Sequence, residues 1–196
     1  MAVMLTVMCI NIGLAQPNVK VDSLVQRKKS LVLQLGGGIN YYLAAVKIKP
    51  AALAGSVNRY SPASTIRLMW YPRYRLRLGL EAGYTSFYSY KVLNGNTKGS
   101  LSLEAVPVLL VWSMQLVRRV NLYAGIGSYR LTTRLNYDGK VVSGAWVLGT
   151  NIALSYTQPL SKKIGIAAEA KWMNSYETKD AAISLQAQLV WKFLQW

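Results

Sequence analysis

The strongest constraint in this 196-residue sequence is a hydrophobic pattern with a period of two residues. Apolar residues occupy alternate positions over residues 31–39, 66–70, 76–84, 101–105, 146–154, 164–170 and 183–193. This period is typical of β-strands that have one apolar face. Together with residues 120–133, whose parity is ambiguous, there are about eight segments, and with their flanking residues most span roughly ten residues or more, the length that a tilted strand needs to cross a bilayer. Strands of soluble proteins average only about five or six residues.

The connections between these segments alternate in character. The short ones are 71–74, 113–119 and 159–163, and the intervening ones are 43–64, 91–99, 136–142 and 177–180. Short periplasmic turns that alternate with longer outer loops are typical of an up-and-down barrel in an outer membrane. The sequence therefore predicts an all-β fold: a closed up-and-down antiparallel transmembrane β-barrel of about eight strands, with both chain ends on the periplasmic side.

A membrane-spanning helix is the alternative for the uncharged segment 141–161. This segment alternates, however, and it contains Asn151, Gln158, Pro159 and two glycines. Polar groups in hydrocarbon need partners that a lone helix lacks. We therefore predict a strand here.

The N-terminal residues 1–15 have no charged side chain and end in Gly13-Leu14-Ala15, with small residues where a signal peptidase requires them. We predict a signal peptide over 1–15, a polar and basic periplasmic tail over 16–29, and the barrel over 30–196. A buried N-terminal helix or strand is the alternative for the first segment. Export through a cleaved signal implies location in the bacterial outer membrane.

Charged side chains share the face opposite the apolar one, so the pattern places them inside the barrel. The predicted lumen ion network consists of Arg67, Arg75, Arg77, Glu81, Glu104, Glu169, Lys171 and Lys192. Buried charges are tolerated when they are paired and hydrogen-bonded. An eight-stranded barrel is just wide enough for its own side chains to fill it, which predicts a plugged polar lumen. A narrow, porin-like channel is the alternative.

The chain carries 23 Lys and Arg against 7 Asp and Glu, a formal net charge of +16. Several cations lie in or beside the predicted outer loops: Lys47, Lys49, Arg59, Lys91, Lys98, Arg134 and Lys140. We predict that these cations contact lipid phosphates such as those of lipopolysaccharide; plain solvated loops are the alternative. The bases form no stripe with stacking aromatics, so no nucleic-acid partner is predicted.

Tyrosine and tryptophan are abundant, with 13 and 6 copies against 2 phenylalanines. Amphipathic rings of this kind collect at membrane interfaces. The predicted periplasmic belt is Tyr71, Tyr74, Trp112, Trp191 and Trp196, and the predicted outer belt is Tyr41, Tyr88, Tyr90, Trp146 and Tyr176. Ordinary packing in a β-sandwich is the alternative for each ring.

The sequence contains no histidine and a single cysteine. Histidine-based catalysis, histidine-ligated metals, disulfide frameworks and cysteine-rich zinc sites are thereby excluded. We predict no catalytic, cofactor-binding or metal-binding residue and no enzyme activity, although a Ser-Lys or carboxylate mechanism is formally open. A soluble lipocalin-like ligand carrier is a further alternative, but its barrel would be apolar inside and polar outside.

Nearly the whole predicted barrel resembles the small outer-membrane β-barrel family of the OmpX and OmpA type, in the form common in Bacteroidota. The motifs that carry the resemblance are Leu35-Gly36-Gly37-Gly38, Tyr71-Pro72-Arg73, Leu78-Gly79-Leu80-Glu81-Ala82-Gly83-Tyr84, Leu103-Glu104-Ala105-Val106-Pro107, Leu122-Tyr123-Ala124-Gly125-Ile126-Gly127 and Leu189-Val190-Trp191-Lys192-Phe193. The resemblance implies a terminal aromatic residue, here Trp196, that the barrel-insertion machinery reads. It also implies a role in envelope integrity, adhesion or an envelope complex with an unidentified protein partner.

Overall fold

The computed structural model describes residues 29–43, 57–72, 76–94, 97–136 and 140–196. Within these ranges the chain forms nine strands. They are β1 (Ser30–Tyr42), β2 (Val57–Asn58), β3 (Tyr60–Tyr71), β4 (Leu76–Asn94), β5 (Thr97–Val117), β6 (Val120–Asn136), β7 (Lys140–Pro159), β8 (Ile164–Ser175) and β9 (Ala181–Gln195).

The strands close into a barrel. Each long strand pairs antiparallel with its neighbours in the chain, and β1 pairs with both β3 and β9, which joins the first strand to the last. The two-residue β2 pairs with the far end of β4, so it continues the line of β3 past Arg59. The result is a closed eight-stranded up-and-down antiparallel barrel, which confirms the predicted fold class.

Segment 141–161, for which a membrane-spanning helix was the alternative, forms the strand β7 over Lys140–Pro159. It pairs along its length with β6, and from Gly149 onwards also with β8. Across the described ranges, no helix has the length and apolar character to cross a membrane.

The two ends of the barrel differ. One end, called here the turn end, holds the start of β1, the end of β9 and residues 118–119 and 160–163. The opposite end, called the loop end, holds the end of β1 and the start of β9. At the loop end β4, β5, β6 and β7 run past the shorter strands as a protruding four-stranded sheet.

The wall of the barrel is apolar outside and largely polar inside. Leu80 is 60% exposed on the outward face of β4, whereas the next residue, Glu81, is 2% exposed. Along β5 the outward apolar residues run from Val106 to Leu116. That distance is about 33 Å of strand, or about 25 Å along the axis at a tilt near 40°, the height of a membrane-embedded band. The arrangement is the reverse of a lipocalin-like barrel.

The alternation predicted for the start of β5 is wrong. Leu103 and Ala105 are buried in the interior, and Glu104 shares the outward face with Val106. Glu104 is therefore not a lumen residue, and it forms an ion pair with Arg134 of β6 at 3.1 Å. The reason is that residues 105–112 are apolar at both parities, so the two-residue period gives no direction for this strand.

Two aromatic residues also face differently from the prediction. Tyr71 has the inward parity of β3, and its ring stacks on the Arg77 guanidinium, 4.2 Å from ring centroid to Cζ. Tyr88 follows a β-bulge in β4 and packs on the buried Tyr42, with ring centroids 5.1 Å apart. A bulge inserts one residue and redirects side chains, so Tyr88 is not part of an outward belt.

The predicted signal peptide (1–15) lies outside the described residues, as does the predicted tail except for Lys29. Lys29 continues the ladder of β1, because its backbone N–H and C=O both bond to the backbone of Trp196 at 2.9 and 3.0 Å.

Candidate functional site

The centre of the lumen holds four of the predicted network residues: Arg67, Glu81, Glu169 and Lys171. Each lies on an inward position, and each is at most 2% exposed. Register explains how they meet. Arg67 and Glu81 are direct partners in the β3–β4 pair, and Glu169 and Lys171 are two residues apart on one face of β8.

Arg67 is the most highly bonded member of this central ion cluster. Its Nε donates to Glu81 Oε2 (2.6 Å), its Nη1 donates to Glu169 Oε2 and Gln34 Oε1 (both 2.8 Å), and its Nη2 donates to Glu169 Oε1 (3.0 Å). Its guanidinium also lies over the ring of Tyr123, 4.2 Å from the centroid. A planar guanidinium suits this arrangement because its N–H groups bind carboxylates in a fixed fork.

Two contacts cross the full diameter of the barrel. Lys171 Nζ on β8 donates to Glu81 Oε1 on β4 at 2.8 Å, and these strands are four positions apart in the eight-stranded ring in either direction. Gln34 Nε2 on β1 donates to the hydroxyl of Tyr123 on β6 at 3.0 Å, and these strands are opposite too. Side chains from all around the wall thus meet on the axis.

The central ion cluster is electrically neutral, with two cations and two carboxylates. Lys171 also contacts Thr65 Oγ1 (3.0 Å) and Glu169 (3.3 Å), and Asn151 Nδ2 donates to Glu81 Oε1 (2.9 Å). Complete pairing matters because a buried charge that loses its partner costs about 3–5 kcal/mol. The arrangement is consequently suited to fixing the barrel interior, since every charge in it is bonded to other side chains.

Above the central ion cluster, aromatic side chains occupy the lumen at the loop end. Tyr42 is buried, its hydroxyl donates to Asp180 Oδ1 at 2.5 Å, and its ring lies 6.0 Å from that of Phe87. Tyr129 is fully buried on β6, and its hydroxyl donates to Thr150 O at 3.0 Å. Phe87 is the bulged residue of β4, so the irregularity in the strand provides one of the rings that fill this level.

Arg77 and Lys192, which the sequence assigned to the same network, lie instead at the turn end. They line a cavity of about 280 Å³ together with Arg118 and Arg119 of the β5–β6 turn. Arg75 lies outside the described residues. The sequence reasoning had placed Arg118 and Arg119 on the periplasmic side without assigning them to a site. Only closure of the barrel brings the turn to the side chains of β4 and β9.

The predicted lipid-contact cations are spread around the loop end. Arg59, Lys91 and Lys140 are exposed, and Arg134 is 60% exposed in its pair with Glu104. Lys47 and Lys49 lie outside the described residues, and so does the side chain of Lys98, whose backbone pairs with Leu93.

Two exposed cations at this end, Arg130 and Lys179, are not among the predicted lipid contacts. Arg130 lies on the outward face of β6, beside Trp146 of β7 in register. The segment 120–133 carries small residues at both parities, which left its outward face unassigned. Arg130 follows Ile126 and Ser128 on that face and lies level with Val106, at the loop-end limit of the apolar band.

The described residues contain no group of three or more metal-ligating side chains of the His, Cys, Asp and Glu types. Lys171 is the amine that a Ser-Lys mechanism would use, and it is buried with its Nζ bonded to two carboxylates.

Comparison with solved structures finds barrels of similar architecture. Neisserial surface protein A matches with a TM-score of 0.52 at 13% identity, covering 84% of this chain and 99% of that chain. OprG from Pseudomonas aeruginosa matches with a TM-score of 0.51 at 12% identity, covering 86% and 98%. Ail, the attachment invasion locus protein of Yersinia pestis, in complex with the heparin analogue sucrose octasulfate, matches with a TM-score of 0.51 at 7% identity, covering 85% and 99%.

No protein-family model and no curated protein sequence matches this chain. At such low identities the structural matches concern architecture alone, and they agree with the closed eight-stranded barrel described above. The chain has the fold of the small eight-stranded outer-membrane β-barrels.

Proposed function

We propose that this chain is an integral outer-membrane barrel, exported through its N-terminal signal, that acts without catalysis as a structural and interaction component of the cell envelope. The turn end faces the periplasm, and the loop end faces outward. The lumen is sealed, so the protein acts through its surfaces. The Bacteroidota affiliation implied by the sequence resemblance stays a prediction.

The observation that carries this proposal is the pair of contacts across the barrel, Lys171 to Glu81 and Gln34 to Tyr123. A water-filled pore needs a continuous open path along the axis. The central ion cluster blocks that path with fully bonded side chains, and Tyr42 and Tyr129 block it again nearer the loop end. Two successive layers argue against the porin-like alternative.

The outward surface supports contact with anionic lipid. Arg130 and Arg134 lie at the loop-end limit of the apolar band, with Trp146 beside Arg130. Guanidinium groups bind phosphate bidentately, and tryptophan prefers the headgroup level. We infer that these two arginines bind phosphates of the outer leaflet, those of lipopolysaccharide, with Arg59, Lys91 and Lys140 as further cations at this end.

The protruding sheet supports contact with a protein partner. Beyond the rim, residues 140–147 of β7 have no strand partner other than β6 within the described part of the chain. Val141 and Val142 are 60% and 65% exposed there. A free strand edge with exposed apolar side chains is a template for an added strand. During biogenesis, Trp196 is the residue that the insertion machinery would read.

Conductance across planar bilayers tests the sealed lumen. We expect no steady conductance from the wild-type protein. The double variant Glu81→Ala/Lys171→Ala removes one pair of opposite charges together with a contact across the diameter, but it keeps the second layer of Tyr42 and Tyr129, so we expect it to stay closed as well. Heat-modifiable gel mobility serves as the folding control. Steady conductance from the wild-type barrel would contradict the proposal.

Fractionation tests the location, and affinity purification from detergent-solubilised envelope tests the partner. We expect the chain in the outer-membrane fraction. A partner that binds the β7 edge is expected to be lost with Val142→Pro, because proline removes a backbone donor from the edge, and retained with Lys91→Gln on the same protruding sheet. Recovery as a soluble monomer without detergent would reject the membrane assignment.

A further inference from the structure

The turn-end mouth of the lumen contains a cluster of cations that the central ion cluster does not neutralise. The cavity there has a volume of about 280 Å³. Four basic residues line it: Arg77 from β4, Arg118 and Arg119 from the β5–β6 turn, and Lys192 from β9. None of the described residues that line the cavity carries a carboxylate. We call this cavity the basic mouth.

Arg77 is held in place by neutral groups. Its Nη1 donates to Asn121 Oδ1 at 2.9 Å, and its Nη2 donates to Gln115 Oε1 at 3.0 Å. The Gln115 amide is itself oriented, because its Nε2 donates to the carbonyl oxygen of Arg118 at 2.9 Å. The ring of Tyr71 covers one face of the guanidinium. These contacts fix the position of Arg77 without cancelling its charge.

The basic mouth differs from the central ion cluster in the groups that its cations contact. Arg67 and Lys171 are matched by two glutamates that bond to them directly. At the basic mouth, the acceptors that Arg77 meets are amides. Arg119 Nη1 donates to the hydroxyl of Tyr156 at 3.1 Å, on the outward face of β7 at the edge of the mouth. Four basic residues therefore line one cavity, and none of its described lining residues carries a carboxylate. Like charges around one cavity repel one another unless an anion joins them.

We propose that the basic mouth is a binding site for a phosphate-type oxyanion. Phosphate oxygens suit several converging N–H donors better than a single carboxylate does, because they accept bonds from more than one direction. The cavity is larger than an orthophosphate ion, which leaves room for a group esterified to it. Such an anion comes either from a soluble phosphoester or from a phospholipid headgroup at the periplasmic leaflet, and both present the same chemistry to the site.

Calorimetric titration of the refolded full chain in uncharged detergent micelles, at constant ionic strength, provides the test. The soluble probes are inorganic pyrophosphate and sn-glycerol 3-phosphate. For the lipid arm, the protein is placed in nanodiscs of phosphatidylcholine with or without phosphatidylglycerol, and its thermal unfolding is compared. We expect saturable binding near one site per chain for the soluble probes, or a higher unfolding temperature with phosphatidylglycerol for the headgroup.

The variant Arg77→Gln/Lys192→Gln is expected to weaken binding by about tenfold or more, since it removes two charged donors. Arg118→Gln/Arg119→Gln, in the exposed turn, tests the site without altering a strand. Lys162→Gln/Lys163→Gln is the matched control, because it removes two charges at the same end from residues that do not line the cavity. Gel mobility verifies that each variant folds.

The two arms distinguish the source of the anion. Saturable binding of pyrophosphate or glycerol phosphate, lost in both site variants and kept in the control, supports a soluble ligand. Stabilisation by phosphatidylglycerol alone, with the same pattern across variants, supports a headgroup. The proposal is overturned if neither arm responds, or if the Lys162/Lys163 control loses binding as much as the site variants do.

Discussion

At the scale of the residue, Lys171 tests the central ion cluster, because its ammonium group bonds to both Glu81 and Glu169. Lys171→Met removes the cation and leaves two buried carboxylates with Arg67 alone. We expect the free energy of unfolding to fall by about 3–5 kcal/mol, the cost of breaking a buried pair on one side only. Urea unfolding of the barrel in lipid vesicles measures the change.

The double variant Lys171→Met/Glu169→Gln restores neutrality, since Arg67 and Glu81 remain as one pair. Its loss of stability should be smaller than the sum of the two single losses, because the two sites share partners. Lys140→Met, at an exposed position, is the control and should change little. If the two single losses simply add, the charges in the lumen are not coupled as described.

At the scale of the strand, the three successive glycines of β1 allow a test of how closely its backbone approaches that of β9. A Cβ on Gly38 would lie inside contact distance of the backbone oxygen of Leu185 on β9, whereas a Cβ on Gly37 would meet nothing within 4 Å. Gly38→Ala should lower the free energy of unfolding by about 1–3 kcal/mol through overpacking. Gly37→Ala should leave it unchanged or raise it by up to about 1 kcal/mol. Equal effects in urea unfolding would show that the backbones of β1 and β9 are not so close.

The strands differ in how far their sequence alone determines which face points outward. In β4 and β9, polar and apolar residues alternate without exception near the middle, so the outward faces of Leu80 and Leu185 follow from the period alone. In β5 both faces are apolar, because its inward residues pack against interior aromatic and aliphatic side chains instead of ions. Hydrophobicity then does not distinguish the lipid-facing from the lumen-facing side of the strand, and for that reason the prediction that Glu104 faces the lumen is wrong.

The candidate site was partly predictable for a related reason. Parity indicates that Arg67, Glu81, Glu169 and Lys171 point inward, but it carries no information about register or about which strands lie opposite. The approach of Lys171 to Glu81 depends on closure of eight strands. The basic mouth depends on the same closure, since its arginines come from a strand and from a turn 41 and 42 positions further along the chain.

At the scale of the whole molecule, the lumen is arranged in layers along the axis. Cations gather at the turn end, a neutral ion cluster fills the middle, and aromatic rings fill the loop end. The outside has a complementary order, with an apolar band that ends where Arg130 and Arg134 begin. Among the residues that the structure describes, most cations therefore lie at the two ends of the barrel, where headgroups and solvent can compensate their charge.

The outward orientation of the apolar face has one consequence that a single fluorescence measurement checks. All six tryptophans of the chain are between 38% and 60% exposed, at positions 70, 112, 146, 172, 191 and 196. Lipids brominated on their acyl chains quench rings that they touch, so the folded barrel in such lipids should lose most of its tryptophan emission relative to unbrominated lipids with the same headgroup. Protein unfolded in urea is the control and should show no difference between the two lipids. Emission that stays bright in the folded state would mean that the rings point into the lumen, and the lipid-facing assignment of the strands would then be reversed.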